Sequence, residues 1–116
     1  MAATKRDLTE LNKLEEYLKK HGIKYTRRDE EHTFPVSIDG EEKIVTIDKH
    51  QIVAFDPKKV QLWDVICHYG SYGADQGLLE IAGDIVEKDE GDVVGFLTAD
   101  DVIERIERKA KNDTGA

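Results

Sequence analysis

The chain has 116 residues, 39% of them hydrophobic and 36% charged, and a formal net charge of −8 at pH 7. These values predict a single globular domain over residues 1–116 with one modest core. They exclude a transmembrane helix, because no apolar run approaches the required length. The first ten residues lack the apolar segment of a secretory signal, and the one cysteine is typical of a reducing cytoplasm.

The first predicted element is an amphipathic helix over Thr4–His21. Its apolar residues recur at three- and four-residue spacing, which is the pattern of one buried helical face. They are Leu8, Leu11, Leu14, Tyr17 and Leu18. Gly22 follows as a helix stop, directly after cationic residues that suit a helix C-terminus.

Strands are predicted for the next part of the chain. Alternating residues at 23–27 indicate a short strand, and the charged residues 29–31 indicate a turn. The clearest signal is a hairpin between Thr33–Ile38 and Lys43–Ile47, closed by the two-residue turn Asp39-Gly40.

Pro35 lacks an amide hydrogen, so the first hairpin strand is expected at an edge of the sheet. A second turn at residues 48–50 leads into a strand over residues 51–55. The prediction for this part is therefore an antiparallel meander of three or four strands.

The stretch Leu62–Leu79 contains the only Trp and the only Cys of the chain. Apolar residues at i, i+3, i+4 and i+7 before and after the glycine-rich YGSYG predict two helices joined by a tight turn. After an acidic loop at residues 86–92 come a short strand, Val93–Leu97, and a final helix beginning at Thr98-x-x-Asp101. Residues 112–116 are expected to fray.

The predicted class is therefore α+β: an N-terminal helix, the antiparallel meander, then two or three C-terminal helices packed on the sheet.

The negative charge is concentrated in one part of the sequence. Residues 74–107 carry 11 acids and two bases, whereas residues 1–73 carry 13 acids and 12 bases. Such a block repels nucleic acid and steers toward basic partners; it is also typical of a surface that only promotes solubility. Four loop acids without a predicted capping role are Glu87, Asp89, Glu90 and Asp92.

Cys67-His68 is the main candidate for catalysis, since a thiolate needs a nearby base. Adjacent helical residues point in different directions, so the pattern favours a buried, inert Cys67. No CxxC or HxxxH pair is present, and scattered His32, His50 and His68 do not predict a metal site.

The glycines around residues 70–73 allow two interpretations. Exposed amides before a helix can bind an anion, but the glycines at positions 73 and 77 also permit close approach of another element, and the sequence favours this structural role. Among the aromatic residues Trp63, Tyr69 and Tyr72, one or two are expected in the core, and an exposed one would anchor a partner.

The second half of the chain resembles small proteins carried by phages and prophages. The matching pattern is WDxIC at residues 63–67, GSYG at 70–73, QGLLE at 76–80 and LTADD at 97–101. The resemblance implies an accessory protein of a bacterial virus, of the kind that inhibits host defence in an anti-CRISPR-like manner. It transfers no catalytic residue.

We therefore predict a non-enzymatic acidic inhibitor that occupies a basic, nucleic-acid-binding surface of a host protein in the bacterial cytoplasm. No cofactor, metal, direct nucleic-acid contact or membrane contact is expected, and a homodimer is an open alternative. The predicted partner-binding residues are Glu87, Asp89, Glu90, Asp92, Tyr72 and Trp63. The alternatives are a protein that sequesters a nucleotide-like ligand near YGSYG and an enzyme built on Cys67.

Overall fold

The computed structural model describes the backbone of residues 6–114 and the side chains of residues 6–111. Five strands form one antiparallel meander in the order β1-β2-β3-β4-β5. The elements are α1 (Thr9–Lys20), β1 (Tyr25–Ile38), β2 (Glu41–Phe55), β3 (Gln61–Ile66), β4 (Leu79–Gly83), β5 (Val93–Leu97) and α2 (Ala99–Thr114), with single-turn 3₁₀ helices at Ala74–Gln76 and Lys88–Glu90. The predicted α+β class is confirmed.

Both helices cover the same face of the sheet. The buried strand residues alternate along the chain, as expected when one face packs and the other meets solvent. They are Ile52 and Ala54 on β2, Trp63 and Val65 on β3, and Leu79 and Ile81 on β4. These side chains join leucines of α1 and Val102 of α2 in one core. The opposite face of the sheet, here called the open face, carries neither described helix.

β1 and β2 extend far beyond the other strands. They pair from Tyr25 opposite Ala54 out to Ile38 opposite Glu41, whereas β3 pairs with β2 only along Gln51–Phe55. Residues 30–49 therefore form a two-stranded ribbon, here called the arm, and the molecule measures 61 Å along its longest axis. No residue of the arm is buried.

The predicted turns at residues 29–31 and 48–50 are wrong, because both segments are strand and pair with each other. Asp29 lies opposite His50, and Glu30 lies opposite Lys49. Groups of opposite charge directly across an antiparallel pair stabilise it. Two of the three cross-strand pairs thus join an acid to a lysine or a histidine, whereas Glu31 lies opposite Asp48.

The prediction of two central helices is also wrong, because the segments before and after YGSYG are the strands β3 and β4. In β3 the core side chains are Trp63 and Val65, two residues apart. Leu62 and Ile66, on the open face, are half-buried, and including them produces an accidental helical spacing. Only one helix, α2, follows the sheet within the described residues, and the meander has five strands.

The terminal helices are close to their predictions. In α1 the leucines Leu11, Leu14 and Leu18 are fully buried, although the helix begins at Thr9; Thr4 lies outside the described residues. At the start of α2, the Asp101 amide donates to Thr98 Oγ1 at 3.2 Å and the Thr98 amide donates to Asp101 Oδ2 at 3.0 Å. The expected fraying of residues 112–116 lies outside the residues whose side chains are described.

The hairpin turn at the tip of the arm is confirmed, with Asp39 at φ +52° and Gly40 at φ +80°. Replacing Gly40 by Val should cost about 1–2 kcal/mol, because a β-branched residue is strained at positive φ. The arm lies outside the core, so we expect this cost mainly as roughly tenfold faster amide hydrogen exchange in the arm strands, with a small change in melting temperature.

The matched control is Ser37→Val, which places the same side chain in the exposed outer part of β1. Exchange in the arm should stay near the wild-type rate in this control. Equal exchange rates in Gly40→Val and Ser37→Val would contradict the strained turn.

Candidate functional site

A β-bulge at the edge of the sheet presents an aromatic side chain to solvent. Leu79 pairs with Leu97 and Ile81 pairs with Val94, so β5 contains one more residue than β4 over this interval. Within the bulge Phe96 has φ +59° and its side chain is 56% exposed. A bulky residue at positive φ is strained, and such strain is concentrated at functional sites. Bulges also re-aim side chains.

Phe96 stacks on Tyr72 from the turn between β3 and β4. The two ring centroids lie 6.3 Å apart with an interplanar angle of 28°, and Tyr72 is 60% exposed. The Phe96 amide donates to the Tyr72 carbonyl at 3.2 Å, and the Tyr72 amide donates to Glu80 Oε1 at 2.9 Å. The backbones that carry the two rings are therefore fixed relative to each other, while the rings remain open to solvent.

Gly95 allows this close approach. A Cβ atom placed there would overlap the Cβ of Tyr72 and lie 3.0 Å from the Tyr72 carbonyl oxygen. The backbone of β5 can approach the Tyr72 turn only because position 95 has no side chain. We call Tyr72, Gly95 and Phe96 the aromatic site.

The four loop acids divide into two groups. Glu87 and Glu90 form a reciprocal capping box on the 3₁₀ turn Lys88–Glu90, so the expectation that they have no capping role is wrong. Glu90 also accepts two hydrogen bonds from Arg105, at 2.7 and 2.6 Å. These bonds, with that of the Glu87 backbone, lower the pKa of Glu90 to about 2.

Asp89 and Asp92 behave differently. Both side chains are exposed, and neither forms a hydrogen bond or ion pair with any residue that the structure describes. Asp92 directly precedes the strand that carries the aromatic site. Of the predicted partner-binding acids, these two are therefore available to a partner without loss of an internal contact.

The predicted aromatic residues are placed in different environments. Trp63 is only 4% exposed and belongs to the core, so its ring is not offered to a partner; its position on the packed face of β3 is the reason. Tyr72 is exposed, as predicted. Phe96 was missed by sequence reasoning, and the signal for it was the glycine directly before an apolar residue in a short edge strand.

Cys67 is completely buried, as expected, but at the end of β3 instead of on a helix. Burial raises the pKa of its thiol, and the nearby Arg6 only partly opposes this. His68 Nδ1 accepts the His50 amide at 2.7 Å, and burial lowers the pKa of His68. The geometry thus disfavours a thiolate at position 67.

A polar network around the buried His50 lies at the base of the arm and was not predicted. His50 Nδ1 lies 2.7 Å from Asp29 Oδ1, and His50 Nε2 lies 3.0 Å from Asp48 Oδ2. Arg6 donates two hydrogen bonds of 2.8 Å to Asp48, and Arg27 lies 3.1 Å from Asp29. Among the described residues, no group of three or more His, Cys, Asp or Glu side chains is arranged to hold a metal ion. The network ties the arm to the segment before α1.

Hydrogen bonds from Arg6 lower the pKa of Asp48, although burial opposes them. At Asp29, burial alone would raise the pKa, but the hydrogen bonds from His50 and Arg27 outweigh it and the pKa is lowered. Both carboxyl groups are therefore held in the ionised form. The sequence signal for this network was the charge at every second position, 27 and 29 on β1 and 48 and 50 on β2.

The glycines of the central turn have structural roles. Gly73 and Gly77 both have positive φ, and a Cβ atom on Gly73 would lie 3.0 Å from the Phe96 Cα, while one on Gly77 would lie 3.0 Å from Asp7. This supports the close-approach interpretation. A cavity of about 210 Å³ is lined by His68, next to this turn, but by none of residues 69–73.

Comparison with known proteins found no match to this chain, neither a family model, nor a curated protein, nor a solved structure. The resemblance to phage-borne proteins therefore stays a prediction. Neither of the two described helices is long and apolar enough to cross a membrane.

Proposed function

We propose that the protein is a non-enzymatic binding protein that occupies a basic, nucleic-acid-binding surface of a host protein, as an anti-CRISPR-like phage inhibitor would. The observation that carries the proposal is the exposed Tyr72–Phe96 stack, held by a strained backbone at Phe96. Exposed aromatic residues on a rigid support are the typical anchors of protein interfaces.

The surrounding charge defines the chemistry of the partner. Gly95 and Phe96 of the aromatic site lie in the acidic part of the chain, where 11 acids oppose two bases between residues 74 and 107, and Tyr72 lies two residues before it. Asp89 and Asp92 have no partner among the described residues, so their carboxylates are free to take the place of phosphates on a basic surface. Long-range attraction of this kind mainly raises the association rate.

The test is a pull-down from lysate of a bacterial host, followed by mass spectrometry and by association rates with the captured protein. Tyr72→Ala/Phe96→Ala should weaken binding at least roughly tenfold, as expected for anchors. Asp89→Asn/Asp92→Asn should slow association mainly at low salt. Nucleic acid should compete with wild-type binding.

The matched control for charge is Glu16→Gln/Glu31→Gln, which removes two exposed carboxylates from the less acidic part of the chain. It should leave the association rate nearly unchanged. Capture of no nucleic-acid-binding protein, or equal binding by all three variants, would refute the proposal. No observation favours the small-ligand alternative, which stays a prediction.

A further inference from the structure

The arm exposes apolar side chains without support from the rest of the molecule. On the open face Phe34 is 39% exposed and Ile38 is 44% exposed, and on the other face of the arm Ile44 is 76% exposed. A two-stranded hairpin on its own is marginally stable in water, and the arm extends roughly 30 Å at ~3.3 Å per residue. A covering surface would stabilise it.

The apolar side chains are concentrated on the open face of the arm. Residues of β1 and β2 alternate between faces, and the register places Phe34 opposite Val45. The open-face apolar residues are Phe34, Val36, Ile38, Val45 and Ile47. They form a continuous strip along the middle and outer part of the arm.

Opposite charges flank this strip at equal distances from its centre. On β2, Lys49 at the base and Glu41 near the tip are each four residues from Val45. Arg28, at the base of β1, and the tip turn at Asp39-Gly40 lie five to six residues from Phe34. Two other charged residues do not follow this distribution: Glu30 is an acid near the base, and Lys43 is a base near the tip. Glu30 already lies 3.5 Å from Arg28 and 3.3 Å from His32.

The base of the arm also contains a cavity of about 210 Å³ on the open face, lined by Arg28, Glu30, Lys49, Gln51 and His68. One Arg and one Lys side chain against one Glu make this cavity basic on balance. The acidic tip of the arm has the complementary charge and the small size of a two-residue turn. A tip from another molecule would fit it.

We propose that two copies of this chain dimerise through the open faces of their arms, with the tip of each arm over the base of the other. A two-fold axis through the Phe34–Val45 pair brings Glu41 of one copy to Lys49 of the other, twice in the dimer. The two apolar strips run diagonally across their arms and cross at this axis, so that Phe34 lies on Phe34 and Val45 lies on Val45 of the other copy. In the alternative with tip over tip, the Asp39 and Glu41 carboxylates of both copies would meet and repel each other.

The dimer is tested by sedimentation equilibrium and light scattering on the full chain, without any other protein. Wild type should approach twice the 13.1 kDa of one chain as concentration rises. Glu41→Lys and Lys49→Glu should each weaken dimerisation more than about tenfold, because each places like charges together twice. An equimolar mixture of these two variants should restore the dimer, because the new lysine of one variant would then meet the new glutamate of the other.

Glu42→Lys is the matched control, since residue 42 neighbours Glu41 but lies on the other face of the ribbon. It should dimerise like wild type, and circular dichroism should show that all variants are folded. A wild-type monomer at all concentrations, a dimer insensitive to Glu41→Lys, or a mixture that stays monomeric would each overturn the proposal. This outcome is independent of whether a basic partner binds the aromatic site.

Discussion

Replacing Asp48 by Asn is expected to lower the free energy of unfolding by about 2–3 kcal/mol at pH 7, because it removes one partner of a largely buried charge pair. Arg6 and Asp48 have side chains only 12% and 14% exposed, and Asp48 also faces His50 Nε2. In the variant, the Arg6 guanidinium and the His50 ring face a neutral amide in place of the carboxylate. Urea denaturation followed by tryptophan fluorescence measures the loss, since Trp63 is in the core.

The same variant makes a prediction about pH. The folded-state pKa of Asp48 is lowered, mainly by the hydrogen bonds from Arg6, and lies below its unfolded value of about 3.9. The stabilisation from ionised Asp48 is therefore fully present above the unfolded pKa and is lost as pH falls through the folded pKa. The gap in stability between wild type and Asp48→Asn should narrow below about pH 4.

Glu31→Gln provides the control, because Glu31 lies opposite Asp48 on the same face of the arm and is exposed. Its effect should stay within about 0.5 kcal/mol, as for other surface substitutions. If Asp48→Asn were equally mild, or if its effect did not depend on pH, the network would not hold the base of the arm.

Gly95→Ala is expected to destabilise the fold by about 2–4 kcal/mol and to abolish the stacking of Tyr72 on Phe96. The added methyl group would overlap the Cβ of Tyr72 in a well-packed backbone contact, and overpacking of this kind commonly costs about 1–3 kcal/mol before any backbone strain is added. Thermal denaturation measures the loss, and the ring contacts in NMR spectra report the stack.

A double-mutant cycle with Tyr72→Gly identifies the cause. Tyr72→Gly removes the Cβ that the new methyl group would meet, so Gly95→Ala should cost clearly less in the Tyr72→Gly background. Equal costs in both backgrounds would show that the overlap is not what excludes a side chain at position 95.

Local signals in the sequence were sufficient to predict the two terminal helices and the hairpin turn. The buried leucines of α1, the reciprocal Thr98–Asp101 hydrogen bonds and the positive φ of Gly40 each depend on residues within a few positions of one another. Such short-range preferences act in any tertiary context that leaves the segment intact.

The central segments needed long-range information. Leu62 and Ile66 pack on one face of β3 and Trp63 and Val65 on the other, so the strand is apolar on both sides and loses its alternation. The segment forms a strand because it pairs with residues 51–54 of β2 and residues 80–83 of β4. Both partner segments lie outside the short stretch whose pattern predicted a helix.

The candidate site shows the same division. The charge of residues 74–107 and the exposure of Tyr72 follow from composition and from a glycine-rich turn, and both could be predicted. Phe96 joins Tyr72 only because a bulge forms when β5 pairs with β4. The ion pair between Glu90 and Arg105 likewise joins the acidic loop to α2, which lies later in the chain.

The terminal helices, the Asp39-Gly40 turn and the position of the acidic part could thus be predicted from sequence, because each is set by neighbouring residues. The strands at the centre, the burial of Trp63 and the enclosure of His50 by Asp29 and Asp48 became evident only in the folded chain. Hydrogen bonds between strands and compensation of buried charges join residues that are distant in sequence, so their energies appear only once the sheet has formed.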